Sequence, residues 1–163
     1  MPLKTKTTKK SNNQFREVKV RGFYRLMLHN VKTGEEIYTP WRQNVITADG
    51  FQNYIVGTAG ALAGSKTVTH MQLATQTAAP TSSQTSASGE FEARKAVTNS
   101  FVANGTLRAT ASWNTNEATQ SAVAAVCLYN TSSTGTAGSI ATFTASTKTT
   151  DQTLNVTYEW RFS

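Results

Sequence analysis

Leu154-Asn155-Val156-Thr157-Tyr158-Glu159-Trp160-Arg161-Phe162 is the stretch that decides the fold. Leu154, Val156, Tyr158, Trp160 and Phe162 occupy every second position, and polar residues fill the gaps. Side chains of a strand alternate between its two faces, so this is one strand with an apolar side and a polar side. Three of the apolar residues are aromatic, each worth roughly 1.5–3 kcal/mol when fully buried. One strand cannot cover that surface alone, so the remainder of the chain must supply sheets that pack over it.

Working outward from there, Thr106–Trp113 alternates in the same way, with Leu107, Ala109, Ala111 and Trp113 expected inward. Asn104-Gly105 precedes it, and Asn-Gly between two β patterns signals a tight hairpin, here with Glu92–Ala103 as the partner strand. Ala122–Tyr129 is continuously apolar and reads as a central strand covered on both sides. Ile140–Thr147 and Val68–Ala74 are further strands. Near the start, Val18–Leu28 puts Val18, Val20, Tyr24, Leu26 and Leu28 on one face. Lys19, Arg21 and Arg25 share the other face with Phe23 and Met27, a basic and partly apolar surface that suits a partner. Glu36–Trp41 is a short strand that Pro40 confines to an edge or terminates. Thr47 is a plausible N-cap, and Phe51, Tyr54 and Ile55 have helical spacing, so a short helix is expected over about 48–56. Gly57–Lys66 and Thr75–Gly89 read as loops, the second long enough to carry binding or merely to be tolerated.

The fold class that results is all-β: an antiparallel β-sandwich or jelly roll of about eight strands with one short helix and an extended basic N-terminal arm. The expected division is an arm over residues 1–17 and one β-sandwich domain over 18–163.

The 163 residues carry a formal net charge of +7, and the charge is unevenly placed. Residues 1–25 hold eight basic side chains (Lys4, Lys6, Lys9, Lys10, Arg16, Lys19, Arg21 and Arg25) against Glu17 alone. The other 138 residues hold eight basic and eight acidic side chains. A neutral body thus follows a cationic leader. Met1–Gln14 has no apolar periodicity, is expected to be flexible alone in solution, and suits an acidic surface or nucleic acid. No apolar run approaches the roughly 20 residues of a membrane helix.

Signals for chemistry are sparse, and no enzyme, cofactor or metal site is expected. Cys127, the one cysteine, lies in an apolar run and reads as a small buried hydrophobe. His29 and His70 form no metal-ligand pair, and no Gly-x-Ser-x-Gly or phosphate-binding glycine motif occurs. Glu90 and Glu92 alternate around Phe91, but Arg94 and Lys95 follow, so a charge-paired surface strand is the better reading. Arg21-Gly22-Phe23-Tyr24-Arg25 is the one place where aromatics interleave with cations as in single-strand nucleic-acid binders.

Four segments together resemble small virion proteins of tailed bacteriophages, of the head-decoration (cement) or tail-fibre-associated type. They are Asn44-Val45-Ile46-Thr47-Ala48-Asp49-Gly50 with its following helix, Met71-Gln72-Leu73-Ala74-Thr75 with its loop, Gly89-Glu90-Phe91-Glu92-Ala93-Arg94-Lys95, and the closing strand. The similarity runs over roughly residues 44–163. The chain departs from that family at Ala74-Thr75-Gln76, where related chains often read Gly-Thr-Gly. The resemblance implies a capsid decoration protein without catalytic residues, located in the virion, its partners being the major capsid protein or other virion proteins and further copies of itself, commonly as a trimer. The basic residues named above would then contact the shell. Two alternatives stand beside it: a small icosahedral virus coat protein whose arm faces the genome, and a tail or fibre adhesin that binds host glycan through the 75–89 loop.

Overall fold

The computed structural model describes residues 18–102, 105–119 and 122–163. Among these are ten strands: β1 (Val20–Asn30), β2 (Glu36–Tyr38), β3 (Arg42–Ile46), β4 (His70–Ala74), β5 (Glu90–Ala96), β6 (Thr98–Val102), β7 (Thr106–Trp113), β8 (Val123–Tyr129), β9 (Ser139–Ser146) and β10 (Gln152–Phe162). All pairings are antiparallel. The strands run in the order β5-β4-β8-β9-β3-β1-β10-β7-β6, with β2 also on β1. Two layers result, β6-β7-β10-β1 against β5-β4-β8-β9, and they join at both edges into a nearly closed barrel. No helix among the described residues is long and apolar enough to cross a membrane.

The two joints explain why there are ten strands rather than eight. Glu92–Ala103, read as one strand, is two: β5 pairs with β4, and β6 pairs with β7. The chain passes between layers at Val97, whose N–H donates to Thr69 O at 2.9 Å and whose side chain packs on the core. At the other edge, Glu36–Trp41 and the residues after it form two strands separated by Thr39-Pro40-Trp41. Proline has no N–H to donate, so the edge ladder on β1 breaks there. β3 then pairs with β1 through Arg42–Asn44 and with β9 through Val45 and Ile46.

The core follows the alternation. β1 and β10 pair over eleven residues, which sets Tyr24 against Tyr158 and Gly22 against Trp160. Tyr24, Leu26, Leu154, Val156, Tyr158 and Trp160 are buried, together with Trp113, Ala109 and Ala111 of β7. Gly22 has a steric reason: a Cβ there would meet Asn44 Oδ1 at 1.7 Å. The hairpin β6–β7 forms, with Val102 opposite Thr106. β8 is buried along its whole length. Its Val126 and Leu128 enter the main core, while Ala125, Cys127 and Tyr129 face a second cluster with Ala74, Ala87, Ala137 and Ile140. That second face is covered by the 75–89 loop. The loop is tied down by Ala48 N to Ser82 O at 2.7 Å and Ala137 N to Thr85 O at 2.7 Å. Gln76, itself buried, exchanges side-chain hydrogen bonds with Gln84 and accepts from Ser88 N. Burial pushes the Cys127 thiol up to about 12.

The expected helix is present, but its bonding is wider. Gly50–Val56 is π-helical and continues as a single turn, Gly57–Ala59. Thr47 caps it, since Thr47 Oγ1 accepts from Gly50 N at 2.9 Å and donates to Ala137 O. Packing on the β8–β9 turn, rather than propensity, sets this geometry. A Cβ on Gly50 would meet Gly138 O at 1.8 Å, and the Tyr54 ring lies on Gly138. Tyr54 OH donates to Thr136 O at 2.9 Å. Asp49 accepts from Lys66 Nζ at 2.8 Å and from Thr136 Oγ1 at 2.9 Å.

Burial alone would raise the Asp49 carboxyl, but hydrogen bonds from Lys66, Asn53 and Thr136 outweigh it and hold the group below its ordinary 3.8. A carboxylate depressed in the folded state stabilises above its unfolded value, and that contribution disappears as pH falls through the folded value. Asp49→Asn should therefore lower stability at neutral pH by about 1–3 kcal/mol. Urea midpoints of the variant and the parent should converge as pH falls below 3.8; a gap that persists in acid would mean that Asp49 does not act through its charge.

Candidate docking face on the β1–β10–β7 sheet

The residues of β1 that point away from the core lie on the outer face of the sheet. The register puts Arg21 beside Arg161, Phe23 beside Glu159 and Arg25 beside Thr157. On the far side of β10, Arg108 stands opposite Glu159 and Thr110 opposite Thr157. On the near side, Phe23 pairs with Gln43 of β3. Tyr38, the last residue of β2, and Trp41, from the break between β2 and β3, lie on the same face against Arg25.

Glu159 organises the centre. It is 4% exposed, although it belongs to the polar side of β10. One carboxylate oxygen accepts from Arg108 Nε at 2.9 Å and Nη2 at 2.6 Å. The other accepts from Arg161 Nε at 2.8 Å and lies 2.7 Å from Arg161 Nη2. Paired donation of this kind fixes both guanidinium planes. Arg161 is thereby held over the Phe23 ring, 4.1 Å from its centroid, and 5.0 Å from that of Trp41. Arg25 covers the other rings, 5.1 Å from Tyr38 and 5.1 Å from Trp41. The result is a row of alternating aromatic and guanidinium groups, Tyr38–Arg25–Trp41–Arg161–Phe23. Guanidinium stacking on an aromatic face is favourable and leaves the N–H edges available.

Of the eight basic residues singled out in the sequence, Lys4, Lys6, Lys9, Lys10 and Arg16 lie outside the described residues. The other three are brought together here. Lys19 is exposed at the corner where β1 begins, its backbone paired with Ser163 at 2.7 and 2.9 Å. Arg21 is exposed and Arg25 half-buried. Among the described residues, neither Arg21 nor Arg25 has a carboxylate within 4 Å. The face thus sets five cations, Lys19, Arg21, Arg25, Arg108 and Arg161, against the carboxylates of Glu159 and, at the Tyr38 end, of Glu36, which accepts from Tyr38 OH at 2.7 Å. Arg108, Glu159, Arg161, Trp41 and Tyr38 were not singled out in the sequence. For Arg108, Glu159 and Arg161 the signal was the polar side of two alternating strands, readable only once the strand neighbours are known.

The other candidates for chemistry have structural duties. Glu90 accepts from the Tyr129 hydroxyl and lies 3.7 Å from Arg94, whose guanidinium stacks 3.4 Å from the Tyr129 ring centroid. Glu92 instead accepts from Ala118 N at 2.9 Å, and Lys95 pairs with Glu117. The two carboxylates therefore serve separate contacts. Glu92 has φ +62, and its carbonyl, like that of Phe91, accepts from the buried Gln72 side chain at the β4–β5 irregularity. His29 sits 3.7 Å from Glu36, and His70 shares a hydrogen bond with Thr69 Oγ1. Among the described residues no three His, Cys, Asp or Glu side chains converge to hold a metal.

Replacing Glu159 by Gln removes a buried charge that four guanidinium N–H groups address. Stability should fall by about 1–3 kcal/mol by chemical denaturation, since hydrogen bonds to charged groups are the stronger kind. A loss below about 0.5 kcal/mol would mean that water holds the two arginines equally well. Comparison of the chain with family models, with curated proteins and with solved structures finds no match.

Proposed function

We propose that the chain is a virion structural protein, a capsid decoration or cement protein that docks on an acidic shell surface through the outer face of β1–β10–β7 together with the basic arm. One observation supports this reading: Arg21 and Arg25, which have no carboxylate within 4 Å among the described residues, lie on one face of β1. In the sequence the five basic residues of 1–17 directly precede that strand, while residues 26–163 hold equal numbers of basic and acidic side chains. The finer assignment, to the head of a tailed phage and to the major capsid protein as partner, rests on the resemblance of residues 44–163.

The arrangement of the aromatics favours carboxylates over bases as the partner groups. Binding of single-stranded nucleic acid needs open aromatic faces. Here Phe23, Trp41 and Tyr38 each have a guanidinium over the ring. What the face offers outward is N–H groups on pre-oriented planes, suited to Asp and Glu side chains. A single exposed ion pair contributes only about 0.2–1 kcal/mol, so tight attachment needs many contacts at once. A homo-oligomer, with a trimer favoured, multiplies them through effective concentration. Phe101, 92% exposed on β6 at the end of the strand order, is an apolar group available for contact between copies.

The test is labelling of purified particles with an antibody to this protein. The protein should appear on the outside of the head, and Arg21→Glu with Arg25→Glu should reduce occupancy tenfold or more. Occupancy of the parent should also fall as salt rises, because the attachment is ionic. Absence from particles, or occupancy indifferent to both charge reversal and salt, overturns the proposal. Labelling confined to the tail would move the protein to the fibre alternative.

A further inference from the structure

A second feature lies on the opposite side of β1 and is chemically unlike the docking face. Where β3 leaves β9, the two layers separate. Only Val45 and Ile46 of β3 pair with β9, at Ile140 and Ser139. Beyond that point, among the described residues, Thr142–Ser146 has no strand on its β3 side, and β2 has none on the side away from β1. A groove of about 650 Å³ opens between them. This falls within the roughly 300–1,000 Å³ typical of small-molecule pockets. Its floor is the inner face of β1 and β10, with Leu26, Leu28 and Leu154, and its walls include Ile37, Pro40 and Phe143. The groove follows β9 for four residue steps, roughly 13 Å.

Among the described residues, two cations and no carboxylate line it. Arg42 lies at the β3 end, exposed, close enough to act on the Tyr24 hydroxyl, and without a carboxylate within 4 Å among the described residues. Lys148 lies at the other end, 2% exposed, its ammonium donating to Thr115 O, Thr149 O and Gln152 O at 2.7–3.2 Å. All three of its protons are taken, so Lys148 contributes positive potential, whereas Arg42 has donors to offer. An added peptide strand is disfavoured. Tyr24 OH already occupies Thr142 O at 3.0 Å, and Pro40 removes a donor from the other bank.

We propose that this groove binds a single-chain amphiphilic anion, an alkyl chain lying along Leu26, Leu28, Ile37 and Phe143 with its carboxylate or equivalent head group on Arg42. The chain would bury the apolar floor, and the head group would meet the one cation there with free donors.

Calorimetric titration of the full-length protein with dodecanoate, below its micellar concentration, tests this. Saturable one-to-one binding is expected. Dodecyltrimethylammonium, with the same chain and the opposite charge, should bind at least tenfold more weakly. Arg42→Glu should reverse that preference. Ile37→Asp, at a position 53% exposed and so tolerable to the fold, should abolish binding of both. Arg21→Glu with Arg25→Glu should leave dodecanoate binding unchanged, which separates the groove from the docking face. Absence of saturable binding, indifference to the head-group charge, or dependence on Arg21 and Arg25 overturns the inference.

Discussion

The pairing of β1 with β10 is the constraint on which the rest depends. Its eleven-residue register faces two ways at once. Inward it brings Tyr24, Tyr158 and Trp160 together, with the Tyr24 and Tyr158 rings 6.2 Å apart and Trp160 edge-on to Tyr54 at 6.2 Å. Outward it sets Arg21 beside Arg161 and Phe23 beside Glu159. A slip of one residue would exchange the faces, putting arginines into the core and tyrosines into water. The aromatic load that fixes the core therefore also fixes the outer cationic face, and the two cannot vary independently.

How much of this was legible follows from the range of each signal. Alternation is local, so the closing strand, the first strand, the β7 pattern and the fully buried β8 could all be read from the chain. So could the Thr47 cap and the β6–β7 hairpin. What could not be read was where a strand changes partners. Val97 looks like any strand residue, yet the sheet turns its corner there, and Pro40 splits an edge strand that then rejoins as β3. The 75–89 loop reads as small and polar. Its alanines and glutamines nevertheless cover the second face of β8, a face whose need for cover was evident in the run Ala122–Tyr129. On the outer cationic face, Lys19, Arg21 and Arg25 were visible because they alternate along one stretch of sequence. Arg108 and Glu159 are 51 residues apart and meet only through the β7–β10 register.

Residues that carry the family resemblance have packing duties in this chain. Asn44 donates to Ser139 Oγ at 2.8 Å and closes against Gly22. Thr47 caps the helix, Asp49 ties it to Lys66 and Thr136, and Gly50 allows it to touch the β8–β9 turn. Gln72, Glu90 and Arg94 hold the β4–β5–β8 edge. These residues specify how one end of the barrel is closed. Their side chains are taken up by these contacts, which leaves the outer sheet face and the groove beside β9 as the surfaces open to a partner.

Both of those faces trace to β3. It is five residues long, yet it stitches two layers, giving Arg42–Asn44 to β1 and Val45 and Ile46 to β9. Its first three residues pair on one side and its last two on the other, so it joins the layers only where those two spans meet. Closing the barrel near Ile46 therefore leaves it open beyond Tyr24, and that opening is the apolar groove. The chain entering β3 must in turn cross the edge of β1. Pro40 stops it from extending the ladder, and Trp41 comes to rest between Arg25 and Arg161 on the outside. One short shared strand thus produces an apolar groove on the inner side of the sheet and completes the stacked cationic row on the outer side.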